Sequence, residues 1–330
     1  MKNVLVTGGA GFIGAYLVKK LIQQGLNVTI VDNLRDVGGV SYIHPKAHFI
    51  KADICDLGMY AQLNHLNLDT VFHLAAQSAG EPSYEDPKLD IMTNCYGTYL
   101  ISKFCKENEI SRFIYTSTVA VYGNSEGIIS ENTSINPDSI YGISKYSGEM
   151  FVRQLFNNSK TNYTIFRVFN TYGPGENLDY SKKGMVSIYL GYVWKNQPIL
   201  VKGSLDRFRD LTYIEDNVNA IFKCCDKPIS FGEVYNLSSG KKTYVRELIN
   251  CILEVFNKSA NYEVKELPST PGDSFGYHSN ISKIKKHLDW EPSVEIMDGL
   301  KKYYDWVKNI NVNDNLKDKH PFMLQNDNKS

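Results

Sequence analysis

Over the first 170 positions the chain alternates short continuous apolar runs with longer stretches of helical periodicity. The runs at 3–7, 27–31, 47–50, 70–74, 112–116 and 163–168 are rich in Val, Ile and Phe, as strands buried on both faces are. Between the first two, Ile13, Leu17, Val18, Leu21 and Ile22 form the stripe of a helix packed on a sheet. Such alternation predicts a doubly wound parallel sheet with right-handed crossovers. The pattern loosens after Gly173-Pro174-Gly175. Helices are predicted at 183–196, 215–226, 243–257 and 295–308, and 234–237 reads as a strand returning to the first sheet. At 330 residues the chain exceeds what one ordinary core serves. The expected organisation is α/β: a first domain over 1–175 with returning segments near 210–237, and a smaller mixed α/β substrate domain over 176–308. The segment 309–330, dominated by Asn, Asp and Lys, reads as a mobile tail.

Gly8-Gly9-Ala10-Gly11-Phe12-Ile13-Gly14 follows the first run directly and opens the first helix. Glycines at 8, 11 and 14 have a mechanical reason. One permits a tight turn, one lets a pyrophosphate approach the backbone, and one allows close helix–strand packing. The helix start at Phe12 and Ile13 then offers N–H groups to phosphates. Asp32 ends the second run 18 residues after Gly14, where a ribose-binding acid belongs. Its carboxylate would accept from a ribose 2′-hydroxyl and repel a 2′-phosphate, which points to NAD over NADP; Arg35 nearby is the one residue that could take that phosphate. The first domain is therefore expected to be Rossmann-type.

Tyr141 and Lys145 are four apart and share a face of any helix that holds both. An ammonium about 4 Å from a phenol would lower its pKa by up to roughly 3 units and make a general base accessible near neutrality. Spacing alone proves little, since Tyr-x-x-x-Lys begins six times, at Tyr16, Tyr42, Tyr84, Tyr99, Tyr141 and Tyr304. Context singles out Tyr141. Thr116-Ser117-Thr118 ends a strand upstream of it, at the sheet edge where ligands bind. Thr118 would steer a substrate proton toward Tyr141, although a lone threonine there more often serves as a cap.

Composition narrows the field further. Lys plus Arg and Asp plus Glu are 36 each, so no electrostatic footprint for nucleic acid or an anionic membrane exists. No apolar run approaches the roughly 20 residues that span a bilayer, and the apolar start at Val4 to Val6 is too short for a signal peptide. The six cysteines form no Cys-x-x-Cys pair and the seven histidines no ligand spacing, so no metal is expected. Reduced thiols of a cytoplasmic enzyme are the expectation.

Taken in order, the motifs resemble the extended short-chain dehydrogenase/reductase family, in particular its nucleotide-sugar epimerases and dehydratases. They are the glycine turn, Asp53-Ile54, His73-Leu74-Ala75-Ala76, Asn94 before Gly97-Thr98, Thr116-Ser117-Thr118 leading to Val121-Tyr122-Gly123, Tyr141 with Lys145, Phe169-Asn170-Thr171-Tyr172-Gly173-Pro174, Arg209-Asp210 and Pro271-Gly272-Asp273. The likeness runs from Lys2 to about Trp306. It implies that Asp32, Asn33, Asp53 and Ile54 hold the adenosine half of NAD. Leu74, Ala75, Ala76, Asn94, Ser117, Tyr141 and Lys145 would line the nicotinamide half. Ser78, Thr118, Asn170, Val186, Arg209 and Asp273 would contact a nucleotide-sugar substrate. Val186 is equally suited to the core, and Asp210 and Asp216 to caps or ion pairs. The family also implies a homodimer, pairing helices near 95–107 and 142–156 through residues such as Leu100, Ile101, Phe104, Phe151, Val152 and Leu155; burial of these against the sheet is the equal alternative.

Two departures from the family pattern matter more than the matches. Dehydratases of the family carry an Asp-Glu pair after the catalytic Thr, and the decarboxylases usually keep a Glu in that stretch. Here the residues are Val119-Ala120, which exchange no proton. What remains needs one base and a cofactor that takes and returns hydride, as 4-epimerisation of UDP-glucose and UDP-galactose does. In that scheme Tyr141, assisted by Thr118, takes the C4 hydroxyl proton, and Lys145 keeps Tyr141 acidic. Secondly, Thr270 stands where related epimerases place an Arg on the diphosphate. Arg207 is either its replacement or a surface residue. A bulky Tyr277 favours the non-acetylated hexoses, whereas Gln77-Ser78-Ala79-Gly80-Glu81 departs from the usual epimerase loop and keeps another nucleotide sugar open. A noncatalytic NAD-binding module is the third reading, disfavoured because Tyr141, Lys145 and Thr118 are all present.

Overall fold

The six apolar runs are strands of one sheet. The computed structural model describes residues 1–35, 42–78, 80–125, 127–176, 178, 184–269 and 274–309. Its main sheet comprises β1 (Asn3–Thr7), β2 (Asn27–Asp32), β3 (His48–Lys51), β4 (Thr70–His73), β5 (Arg112–Thr118), β6 (Asn162–Val168) and β7 (Glu233–Leu237). Every neighbouring pair is parallel, in the order β7-β6-β5-β4-β1-β2-β3. The 234–237 segment thus does return to the sheet, with Tyr235 opposite Phe166. All residues of β4 and β5 are buried, which explains apolar runs without alternation. Successive side chains feed two cores: Val4, Ile30, Phe72 and Phe166 on one face, Leu5, Val31, Val71 and Ile165 on the other.

The chain leaves β1 through β2 to β3, then comes back to β4 on the other side of β1. At this reversal the carboxyl ends of β1 and β4 part and open a crevice. Helix α1 (Phe12–Gln23) starts there. Helices α2 (Thr98–Glu107) and α3 (Ile140–Phe156) pack together on the far face of β5 and β4. The four helices expected beyond residue 175 are present as Met185–Trp194, Ile214–Lys223, Val245–Val255 and Ile296–Lys308.

Three features were not foreseen. Ile91–Gly97 is a π-helix running into α2, Val119–Tyr122 is a 3₁₀ turn, and the three two-stranded ribbons among the described residues include the parallel pair Ile199–Lys202 and Val264–Leu267. Pieces this short carry no periodic signal. Inside the fold, Arg167 of β6 forms two hydrogen bonds with Glu149 of α3, both side chains being buried. The expected tail from 310 onward lies outside the described residues.

Candidate active site

The glycine turn is shaped by close approach. Gly8 has φ +71, and a Cβ there would lie 2.6 Å from Ala75 N. A Cβ on Gly14 would lie 2.1 Å from the Gly8 carbonyl oxygen, so only glycine lets α1 begin against the end of β1. The helix starts without a side-chain cap, with Gly11 at its N-cap. Gly8, Gly11, Phe12, Ile13 and Gly14 line a cleft of about 400 Å³ that also reaches Asp32, Tyr141 and Val186. A backbone cradle too tight for any side chain, opening into a cleft lined from the end of β2 to α3, fits an extended phosphate-bearing ligand.

Asp32 closes one end of the cradle. Its oxygens accept from Leu34 N at 2.8 Å and Ala10 N at 3.0 Å, tying β2 to the glycine turn. Burial raises its pKa despite those bonds. Asn33 donates to Asp53 at 2.9 Å, and Asp53 also accepts from Cys55 N. Burial alone would raise the Asp53 pKa, but these bonds and the Arg35 charge bring it below the usual value. Asp32, Asn33, Arg35, Asp53 and Ile54 all line this end.

At the other end Tyr141 and Lys145 stand one turn apart on α3, and both line the cleft with Ser117 and Thr118. Thr118 does two things. Its Oγ1 accepts from Ala120 N at 3.2 Å, capping the 119–122 turn, and its hydrogen bond with Tyr141 draws the phenol pKa down. Beneath lies a stack of buried side chains. Lys145 Nζ sits 4.4 Å from the centre of the Tyr115 ring, and His73 stacks on that ring at 5.5 Å. His73 is clamped between the Thr7 and Thr98 hydroxyls; burial, then Lys145, hold it far below the ordinary histidine pKa and neutral.

One expectation needs correcting. Burial pushes the Tyr141 phenol up to about 12 and the Lys145 ammonium down to about 7. Desolvation is the largest influence on the phenol; the Thr118 hydrogen bond opposes it and the Asp90 charge adds to it. Lys145 alone does not make Tyr141 a base at neutral pH.

The remaining residues divide by position. Leu74, Ala75, Ala76 and Ser78 line the cleft, and Leu74 and Ala75 are held by hydrogen bonds to Thr7. Asn94 is fully buried behind it: its amide exchanges hydrogen bonds with the Gln77 backbone at 2.9 Å in both directions. It holds the Gln77 backbone behind the lining residues. Asn170, Val186 and Leu211 line the opposite part of the cleft, with Val186 also in the core. Arg209 is buried, its guanidinium 5.0 Å from the centre of the Tyr277 ring. Arg207 is buried as well, packed against Gly203, which removes the surface alternative for it. Asp210 binds Ser239, Gly240 and Ser279, and Asp216 binds Ser293 and Val294, both as structural anchors. Thr270 and Asp273 lie outside the described residues.

Sequence reasoning missed Asp90, Gln77 and Tyr115. Asp90 is fully buried, and its carboxyl accepts from Asn94 and Ser144. Nothing in the polar stretch around it marks a buried acid.

The parallel sheet, its reversal at β1 and β4, the glycine cradle and the Tyr141–Lys145 pair at the strand ends together define an extended short-chain dehydrogenase/reductase. Residues 5–303 match the GDP-mannose 4,6 dehydratase family model, and the chain belongs to that family of nucleotide-sugar epimerases and dehydratases. It is similar to UDP-glucose 4-epimerase of Mycolicibacterium smegmatis, 28% identical over 305 residues that cover 90% of this chain and 95% of the relative. Among solved structures, UDP-glucose 4-epimerase of Thermotoga maritima with UDP-glucose superposes with a TM-score of 0.87 at 31% identity, covering 93% of this chain and 98% of that one. UDP-glucuronic acid 4-epimerase of Bacillus cereus, with UDP-glucuronic acid and NAD, gives 0.85 at 28%, covering 93% and 99%. No helix among the described residues is long and apolar enough to cross a membrane.

Proposed function

We propose that this enzyme is an NAD-dependent 4-epimerase of UDP-glucose and UDP-galactose. One observation carries the reading: Thr118 touches Tyr141, and the two residues that follow Thr118 are Val119 and Ala120, neither of which exchanges a proton. Elimination of water or of carbon dioxide needs a further proton carrier beside the sugar, whereas inversion at C4 needs one base used in both directions. Glu176, a carboxylate that also lines the cleft, packs instead against Gly184. The 77–81 loop is the observation that favours a second reading, the same chemistry on another nucleotide sugar, such as a deoxyhexose or a CDP- or GDP-linked one.

NAD would rest on the glycine turn with Asp32, Asn33, Asp53 and Ile54 at its adenosine end. When bound it supplies a hydride acceptor that becomes the donor, and a positive ring that favours the phenolate of Tyr141. Tyr141 then takes and returns the C4 hydroxyl proton, and Thr118 directs that hydroxyl. Lys145 steadies Tyr141 and presents a donor to the cleft. Asn170, Val186, Arg209 and Asp273, with Arg207 as the second guanidinium, would hold the nucleoside diphosphate and leave the sugar free to turn. Offering UDP-glucose, UDP-glucuronate and dTDP-glucose in turn tests the reaction class. C4 inversion of the first supports the reading; loss of water or carbon dioxide from any of them contradicts it.

Asp32 sets the cofactor preference in this account. Asp32→Asn is expected to narrow the advantage of NAD over NADP by about tenfold, worth about 1.4 kcal/mol. Calorimetric titration with each dinucleotide measures it, and an unchanged ratio would show that Asp32 does not face the ribose.

A homodimer in the cytoplasm completes the proposal. Leu100, Ile101, Phe104 and Val152 are buried within the protomer. The apolar face that α2, α3 and the π-helix leave exposed holds Tyr96, Ile143, Met150 and Phe151, with Tyr99 bridging Tyr96 and Phe151. Met150→Glu is expected to turn a dimer into a monomer by light scattering after size exclusion. A dimeric variant places the interface elsewhere. The six unpaired cysteines are consistent with a reducing compartment.

A further inference from the structure

Thr118 and Tyr141 both line the cleft but come from different elements, the end of β5 and the first turn of α3. Their mutual position has to be fixed by something else. Thr118 Oγ1 caps the 119–122 turn through Ala120 N, so its direction follows that turn. The near end of the turn rests on α3 beside Tyr141: a Cβ on Gly142 would lie 2.5 Å from the Ala120 carbonyl oxygen. Such a contact limits approach but does not hold the turn against sliding.

The far end is held by directed bonds. Tyr122 closes the turn and is buried. Its hydroxyl oxygen accepts from Arg167 Nη1 at 2.9 Å and gives its proton to Asn236 Oδ1 at 2.7 Å, so both of its roles are filled. Asn236 is itself fixed, donating to the Ile129 carbonyl and to Glu131. The guanidinium lies 4.9 Å from the centre of the Tyr122 ring. It also donates twice to Glu149 on α3, at 3.0 and 2.8 Å, a fork that sets its plane. Gly142 and Glu149 are seven residues apart, about 10 Å along α3. The turn is thus tied to the helix of Tyr141 at two separated points, and only the second is directional. Tyr115 also joins β5 to α3, its hydroxyl donating to the Lys145 carbonyl at 3.2 Å, but it precedes Thr118 and does not hold the turn.

We propose that Tyr122 is a positioning residue: its hydroxyl, held by Arg167, fixes the turn that aims Thr118 at the oxygen of Tyr141. The inference rests on the reading of Tyr141 as the proton carrier. Misplacing a reacting group by about 1 Å costs up to about a hundredfold in rate, even when the change lies away from the chemistry.

The test uses full-length protein with NAD added and tyrosine labelled at the ζ-carbon, the Tyr141 NMR signal being assigned by its loss in Tyr141→Phe. Tyr122→Phe keeps the ring beside Arg167 and removes only the joint. It is expected to move the Tyr141 signal in the direction given by Thr118→Val, and to lower kcat about ten- to a hundredfold with KM unchanged. Arg167→Lys keeps the charge beside Glu149 but not the fork, and must move the signal the same way. Tyr235→Phe removes a hydroxyl from another buried tyrosine, one bonded to His287 at 3.0 Å and outside the cleft lining. It must leave both signal and kcat in place. A Tyr141 signal unmoved in Tyr122→Phe, or moved as far in Tyr235→Phe, overturns the proposal. The signal needs no sugar, so the two readings fail separately. A moved signal in a protein that turns over no nucleotide sugar would sink the epimerase reading and leave the brace standing.

Discussion

Tyr141→Phe is expected to slow epimerisation about 10²–10⁴-fold, the range that a positioned proton carrier contributes, while NAD stays bound. The ring of Tyr141 packs in the wall of the cleft, and the substitution removes only the oxygen that meets Thr118. Thr118 is left with its capping bond to Ala120 and cannot replace the base, because a threonine hydroxyl holds its proton more tightly than a phenol. The loss should fall on kcat, since the nucleotide would be gripped elsewhere. Turnover by NMR and the dinucleotide content of the purified variant measure the two halves. Wild-type kcat in the variant would remove Tyr141 from the mechanism, and loss of NAD would make its role structural.

Arg167→Met should cost the fold about 3–5 kcal/mol, the usual penalty for leaving one partner of a buried ion pair behind. Arg167 meets Glu149 with two hydrogen bonds and donates a third, at 2.9 Å, to the Tyr122 hydroxyl, which passes its own proton to Asn236 at 2.7 Å. Glu149 has no solvent exposure. Without Arg167 its remaining ionic partner is the part-exposed Arg153 guanidinium at 4.0 Å, which cannot replace the two short hydrogen bonds lost. The double variant Glu149→Met with Arg167→Met removes both charges and should recover most of the loss. Urea unfolding of the three proteins checks this. Equal destabilisation of the single and double variants would mean that packing, not the orphaned charge, sets the cost.

The features legible in the sequence are those fixed by local backbone geometry. Gly8, Gly11 and Gly14 are spaced by one tight turn, and Tyr141 and Lys145 by one helical turn. Asp32 is placed by the end of a strand that its own apolar residues announce. The buried sheet declared itself for the same reason, down to the returning strand at 234–237. What stayed hidden depends on burial by distant segments. Asp90 is an ordinary acid in a polar stretch until the π-helix after it and α3, fifty positions on, enclose it. Asn94 falls in a motif near the cofactor site, yet the widened turn of the π-helix sets it one layer back, against Gln77. The effect of Lys145 on Tyr141 was misjudged because four-residue spacing gives proximity but no measure of desolvation. Arg207 reads like a surface residue in sequence because its burial depends on packing against Gly203.

The most direct test of the central claim is a proton NMR time course of UDP-galactose with the purified protein and trace NAD. Conversion to UDP-glucose that halts at an equilibrium mixture, with no net NADH, is the result expected of one base and a recycled hydride. Unchanged UDP-galactose in the presence of verified bound NAD would contradict it.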